Sequence, residues 1–273
     1  MTGTPTRGSA RRVPRDRVPP VIAVGATLAA LIFVVPLLGL LWRAPWSSTW
    51  STVSSHDART ALRLSLTTSI ASTAIAIVLG VPLAWVQAHV EYPGRRIVRA
   101  MTLLPMVLPP VVGGIALLLA LGKRGLVGQY LDHAGVHLPF HVGGAILAET
   151  FVAMPFLVLT VEAAFRSADP RYEDAARTLG ASRLHVFRRV TLPMIRPSLL
   201  AGAVLCWARA LGEFGATITF AGNTQGKTQT LPLFVYIKLE AGSTDAAIVL
   251  SLVLLAISLA VLVSLRDRWL SAL

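Results

Sequence analysis

Four groups of residues in this chain of 273 residues are of types that could do chemistry. His133, His137 and His141 recur every four residues, which on one continuous helix would stack three imidazoles as metal ligands. Gly135 and Pro139 interrupt any such helix and no Glu stands where a zinc protease needs one, so no metal site is expected. The stretch Ala221-Gly222-Asn223-Thr224-Gln225-Gly226-Lys227-Thr228 approximates a phosphate-binding loop, in which a Gly-rich turn, a Lys and a hydroxyl hold phosphates and magnesium. It follows an apolar run instead of a buried strand and leads into Thr230-Leu231-Pro232, so no nucleotide is expected there. Arg209 and Glu213 are one helical turn apart in an apolar segment, where an unpaired Arg costs about 3 kcal/mol or more. They can neutralise each other as a structural pair, or stand beside a route for anions. Glu149, also in an apolar segment, carries the same two readings. The fourth group is a polar loop: Tyr172-Glu173-Asp174-Ala175-Ala176-Arg177-Thr178-Leu179-Gly180, nine residues, then Val190-Thr191-Leu192-Pro193. Among motifs of intramembrane enzymes, neither His-Glu-x-x-His nor Gly-x-Ser-x-Gly nor an Asp pair in apolar segments occurs.

The elements that position these groups belong to a bilayer. Hydrophobic residues make up 54% of the chain and charged residues only 14%, far from an ordinary soluble surface. Six stretches carry two or fewer charges each: Val21 to Trp42, Ile70 to Val86, Leu103 to Leu121, Gly143 to Val161, Ser198 to Phe220 and Ala246 to Leu265. About 20 apolar residues cross roughly 30 Å of hydrocarbon as a helix, so an all-α protein with six transmembrane helices is expected.

A net charge of +12 in a soluble chain would suggest nucleic acid. Here the positions of the charges explain it, because basic residues of membrane proteins collect in cytoplasmic loops. The N-terminal tail holds Arg7, Arg11, Arg12, Arg15 and Arg17; the loop after the second span holds Arg95, Arg96 and Arg99; the C-terminal end holds Arg266 and Arg268. The loop after the fourth span adds Arg166, Arg171, Arg177, Arg183, Arg188, Arg189 and Arg196, so alternate segments carry seventeen of the 25 basic residues. Both termini are therefore expected in the cytoplasm, and no nucleic-acid partner is expected. The basic start followed by an apolar run has the outline of a signal peptide, but the run is long and lacks a small-residue cleavage site, so it reads as an uncleaved first span. The single cysteine, Cys206, excludes an intramolecular disulfide and a thiolate cluster.

Finer features set the organisation. Residues 1–20 are too polar to offset the entropy of ordering and are expected to be disordered; 21–57 hold the first span and an external loop; 58–268 form the main domain. In the second span Ser65, Ser69 and Thr73 form one row and Ser72, Ala76 and Gly80 another, a spacing that lets helices approach closely in lipid. Pro105, Pro109, Pro110, Gly113 and Gly114 preclude a regular hydrogen-bond ladder in the third span. Such a broken helix either lines a pathway or is a structural kink. In the polar loop, Asp169-Pro170 marks a helix start, Glu173 and Asp174 suit its early turns and Gly180 its stop, and a second short helix is expected from Ser182 to Val190. Charge alone makes this a basic loop lying on lipid headgroups.

The sequence Asp174-Ala175-Ala176, three residues, Gly180, nine residues, Val190-x-Leu192-Pro193 resembles the coupling (EAA) loop of binding-protein-dependent ABC importer permeases, with Asp where that family usually has Glu. The resemblance covers roughly residues 58–268, with the loop at 169–193. It implies a type I importer permease fold, no catalytic residue in this chain, and a loop that docks through Glu173, Asp174, Ala175, Ala176, Gly180, Val190, Leu192 and Pro193 into a cleft of a separate ATPase subunit. Small side chains at 175 and 176 would let the helix sit deep in that cleft. ATP and magnesium would be bound by that partner, with no cofactor on this chain. The other implied partners are an extracytoplasmic binding protein and a second copy of this chain, with two ATPase subunits.

Within that family, Trp207-Ala208-Arg209-Ala210-Leu211-Gly212-Glu213-Phe214-Gly215-Ala216-Thr217 looks like the sulfate and molybdate branch. Ile218 to Asn223 and Gly226 to Pro232 are nearer its molybdate members, and Leu104 to Val112 and Arg124 to Gly128 agree with them. Sulfate, thiosulfate and tungstate remain the alternative cargoes. The pathway or gate candidates are Arg209, Glu213, Thr217 and Pro109. A secondary transporter is the reading from another class, but no internal repeat of two halves is visible.

Overall fold

Proline and glycine decide where the helices of this chain begin and end. The computed structural model describes residues 19–270, with side chains described as far as residue 263. The expected disordered tail lies outside the described residues up to residue 18, as do the side chains of Arg266 and Arg268. Every regular element among the described residues is helical.

The chain divides into two units, residues 1–43 and 44–273. The first contains α1 (Pro20–Trp42), without a charged residue, with no buried residue and with Pro20 at the first position, where a missing N–H costs nothing. The second unit begins with α2 (Thr49–Ser54), α3 (His56–His89), α4 (Arg95–Val107), α5 (Pro110–Leu121), α6 (Gly128–His133) and α7 (Val142–Ser167). It continues with α8 (Pro170–Thr178) and α9 (Arg183–Val186), then a π-helical turn (Phe187–Thr191) running directly into α10 (Leu192–Leu211). The last elements are α11 (Gly215–Phe220), α12 (Leu231–Glu240) and α13 (Thr244–Leu270).

Among the described residues, five helices are long and apolar enough to cross a membrane: Pro20–Trp42, His56–His89, Val142–Ser167, Arg183–Leu211 and Thr244–Val263. The expected count of six transmembrane helices is not exact: the third span carries the break its prolines and glycines lead one to expect, and the fifth is interrupted where no break was expected. The segment Leu103 to Leu121 is split, because Pro109 and Pro110 lack an N–H and Leu108, preceding a proline, is extended (φ −68°, ψ 133°). Its pieces, α4 and α5, have 13 and 12 residues, each about 20 Å long and short of the hydrocarbon thickness. The segment Ser198 to Phe220 is also interrupted, since α10 ends at Leu211 and helix resumes only at Gly215. The second span is longer than expected. With 34 residues α3 measures about 50 Å, so it tilts or projects beyond the hydrocarbon.

The core lies among α3, α7 and α10. Ala76, Ala84, Ala153, Leu157, Val161, Cys206 and Ala210 pack there with almost no exposure. Lipid tails are as apolar as leucine, so this association rests on close fit instead of on exclusion of water. Both small-residue rows of α3 are buried: a Cβ on Gly80 would come within 3.1 Å of the Val158 side chain. Hydroxyls serve as cross-links between helices. Thr150 donates to Ser72 at 3.1 Å, and Ser65 accepts the Leu231 N–H at 2.7 Å, fixing the start of α12 against α3.

The two interrupted segments meet. A Cβ on Gly114 of α5 would fall 2.7 Å from the Thr219 Cβ and 2.9 Å from the Ala216 carbonyl oxygen of α11. Reciprocally, one on Gly215 would fall 2.9 Å from the Pro110 Cβ. These contacts are with backbone and Cβ atoms that cannot rotate away. Gly114→Ala should therefore destabilise the purified protein by about 1–3 kcal/mol, seen as a lower midpoint of thermal unfolding in detergent, whereas Gly25→Ala, with open space around its Cβ, should leave that midpoint unchanged.

Candidate functional site

Two places gather the candidate residues. The first is the meeting point of the helix breaks. Past the end of α10 the chain passes through Gly212 and Glu213, and the Glu213 side chain turns back to do two jobs. Its Oε1 accepts the N–H of Ala216 at 2.8 Å, supplying one of the partners that the first turn of α11 lacks. Its Oε2 lies 2.7 Å from an Arg209 Nη, forming an ion pair in which the Glu213 side chain is almost fully buried and the Arg209 side chain is 28% exposed. The expectation that both residues sit inside one continuous helix is thus corrected: Arg209 is in the last turn of α10 and Glu213 beyond its end. Thr217 follows on α11, fully buried, its hydroxyl without a hydrogen-bond partner. Pro109 precedes α5 and is adjacent to the Pro110 that packs on Gly215. All four pathway candidates are therefore brought to one locality. Glu149 on α7 lies within electrostatic reach of Glu213, and its Oε1 accepts the Thr68 hydroxyl at 2.7 Å.

The second place is the polar loop between α7 and α10. Asp169 caps α8, its Oδ1 accepting the Arg171 N–H at 3.0 Å, and Pro170 takes the first helical position. The helix ends in a Schellman arrangement. The Ala181 N–H donates to the Ala176 carbonyl at 3.1 Å and the Gly180 N–H to the Arg177 carbonyl at 2.9 Å, with Gly180 at φ +82°. The expected helix from Ser182 to Val190 is α9 followed by the π-helical turn, with the Ser182 Oγ accepting the His185 N–H at 3.3 Å.

The candidate residues of this loop divide by direction. Asp174 and Ala175 are exposed, Ala176 is half-buried, and Gly180 is exposed. Glu173 faces inward. Its Oε1 accepts the hydroxyl of buried Thr191 at 2.6 Å and its Oε2 the Arg177 guanidinium at 3.1 Å. Val190 lies half-buried in the π-helical turn, Leu192 packs against the α3–α7–α10 core, and Pro193 is exposed in the first turn of α10. Tyr172, Leu179 and Leu184 present large apolar side chains outward, Leu179 at 88% exposure.

Sequence reasoning missed the partners Thr191 and Thr68 and a third cluster. Buried Glu162 on α7 receives Arg166 through Nε at 3.0 Å and Nη2 at 2.8 Å, with the Arg99 Nε 3.4 Å away. Arg166 and Arg95 both donate to the Gln87 carbonyl near the end of α3, clamping α3, α4 and α7 together. The spacing of Glu162 and Arg166 was the signal available. The histidines and the Gly-rich stretch are engaged within their own loops. His137 pairs with Asp132 at 2.8 Å, α6 ends at His133, and the Thr228 hydroxyl accepts the Thr224 N–H at 2.9 Å, closing that loop on itself.

A multi-pass helical bundle with two interrupted helices and a capped polar loop between α7 and α10 has known relatives. Residues 76–272 match the family described as binding-protein-dependent transport system inner membrane component, and the chain belongs to it: it is a membrane-embedded permease subunit, not an enzyme. It is 46% identical over 242 residues to the molybdenum transport system permease protein ModB of Mycobacterium tuberculosis, covering 88% of this chain and 91% of that one. It is 34% identical over 250 residues to the sulfate transport system permease protein CysT of Salmonella typhimurium, covering 90% of each. A solved bacterial ABC transporter involved in the import of alginate shares the fold, with a TM-score of 0.73 at 21% identity over 91% of this chain and 94% of its own.

Glu213→Ala removes the cap of α11 and leaves Arg209 without its counter-charge, so it should cost about 3–5 kcal/mol of stability. Glu213→Gln keeps an acceptor for the Ala216 N–H and should cost less. Arg209→Ala combined with Glu213→Ala should recover part of the loss. Thermal unfolding of the four purified forms checks this order.

Proposed function

We propose that this chain is the permease subunit of an ATP-driven molybdate importer, forming the translocation route and linking it to a separate ATPase. The observation that carries the reading is the 46% identity to a molybdenum permease over 88% of the chain, against 34% to a sulfate permease. Sulfate or thiosulfate, and tungstate, are the alternative oxyanions.

Energetics favours a driven route. Moving a dianion into a negative-inside cell costs roughly 4.6 kcal/mol at about 100 mV, so passive flow would run outward. The polar loop is the proposed docking element. Its exposed Tyr172, Asp174 and Ala175 on α8, Leu179 at the end of that helix and Leu184 on α9 form an outward surface that a cleft on an ATPase subunit would cover. In this reading both termini and the loop are cytoplasmic, in accord with the distribution of arginines. Two copies of the chain enclose the route, an external binding protein delivers the anion, and two ATPase subunits bind ATP and magnesium. Arg209, Glu213, Thr217 and Pro109 stand where both broken helices meet, a type of site that lines pathways in transporters.

A strain lacking the gene should fail to grow at limiting molybdate and recover at high molybdate, with sulfate utilisation unchanged. A growth defect relieved by sulfate or thiosulfate would instead assign the alternative cargo. For the docking element, Gly180→Val forces a branched side chain into a left-handed conformation costing about 1–2 kcal/mol. It should abolish uptake while membrane insertion persists; uptake at the wild-type rate would remove this loop from the coupling route.

A further inference from the structure

The inward-facing Glu173 differs from its neighbour Asp174 in what it can reach. Both its oxygens are held within the loop, by Thr191 and Arg177, so it has little left to offer a partner. The bond to Thr191 spans 18 residues of sequence and joins α8 to the π-helical turn, which are otherwise connected through Gly180 and the short α9. The joint stands over a cleft of about 160 Å³ lined by Trp85, Glu173, Arg177, Val186, Phe187 and Thr191.

From the π-helical turn a chain of ring contacts leads into the bundle. Phe187 lies 6.5 Å from Phe165 of α7, Phe165 meets His89 of α3 edge-on at 5.6 Å, and His89 stacks on Trp85 at 5.1 Å. On the other side the backbone is weakened. The π-helical turn replaces the usual ladder, and Pro193 and Pro197 contribute no N–H to the first turns of α10. A displacement of α8 without the brace would be absorbed at Gly180 and in this loosened stretch. With the brace, α8 and the π-helical turn move together and press on α7 and α3.

We propose that Glu173 and Thr191 are positioning residues of the loop, a brace that makes α8 and the π-helical turn one lever and so determines how much of a push on α8 reaches the membrane helices. The proposal rests on the reading that this loop docks onto an ATPase subunit. It is tested in the complete transporter, with its ATPase and molybdate-binding protein, in proteoliposomes, by the molybdate taken up per ATP hydrolysed. Thr191→Val keeps the shape and removes the donor. It should leave the ATPase bound and hydrolysing while uptake per ATP falls about fivefold or more, and Thr191→Ser should restore it. Glu173→Ala alone and Glu173→Ala with Thr191→Val should show the same loss as Thr191→Val, because all break one joint. Unchanged uptake per ATP in Thr191→Val, failure of Thr191→Ser to restore it, or losses that multiply in the double variant would each overturn the brace. Failure of the unmutated chain to hold an ATPase would overturn the docking reading beneath it, and is seen separately in the co-purification.

Discussion

A backbone amide or a charge inside hydrocarbon has no water to turn to, and the two interruptions of apolar helix in this chain are answered from within the protein. The interruption after α10 is answered by Glu213, which caps α11 and neutralises Arg209 with the same carboxylate. The interruption before α5 is answered by packing: prolines there remove donors instead of stranding them, and glycines let α5 and α11 come within backbone contact. Each break is thus covered by the other. This mutual cover explains why two weak helices can coexist in one bundle, and why Arg209, Glu213 and Thr217 converge in one locality, with Glu149 in electrostatic reach of Glu213.

The polar loop obeys the opposite economy. Its first helix, α8, has nine residues and is polar, and the loop uses its polar groups for shape: a capped start, a left-handed glycine at the stop, and a carboxylate turned inward. What remains on its outer surface is an acid, small side chains and large apolar ones. Such a surface is costly to leave in water.

Much of this was legible in the sequence, for identifiable reasons. Cap residues, helix stops and small-residue rows act over a few positions, so Asp169-Pro170, Gly180 and the serines of α3 announced α8, its end and a closely packed face on α3. The count of spans was less legible. Hydropathy registers apolar length, and Ser198 to Phe220 has it although helix stops at Leu211 and resumes only at Gly215, whereas the break in Leu103 to Leu121 was legible because Pro109 and Pro110 lack backbone donors. Glu173 illustrates the limit further. Beside Asp174 it is one of two adjacent acids, and only the folded position of Thr191, 18 residues away, turns one of them inward.

Cys206 lies sealed in the α3–α7–α10 core with no exposed surface. The chain therefore comes with a silent background for thiol-directed reporters: a maleimide dye or spin label would react only with cysteines placed on purpose, and motions of the polar loop can be followed without first stripping the protein of a native residue.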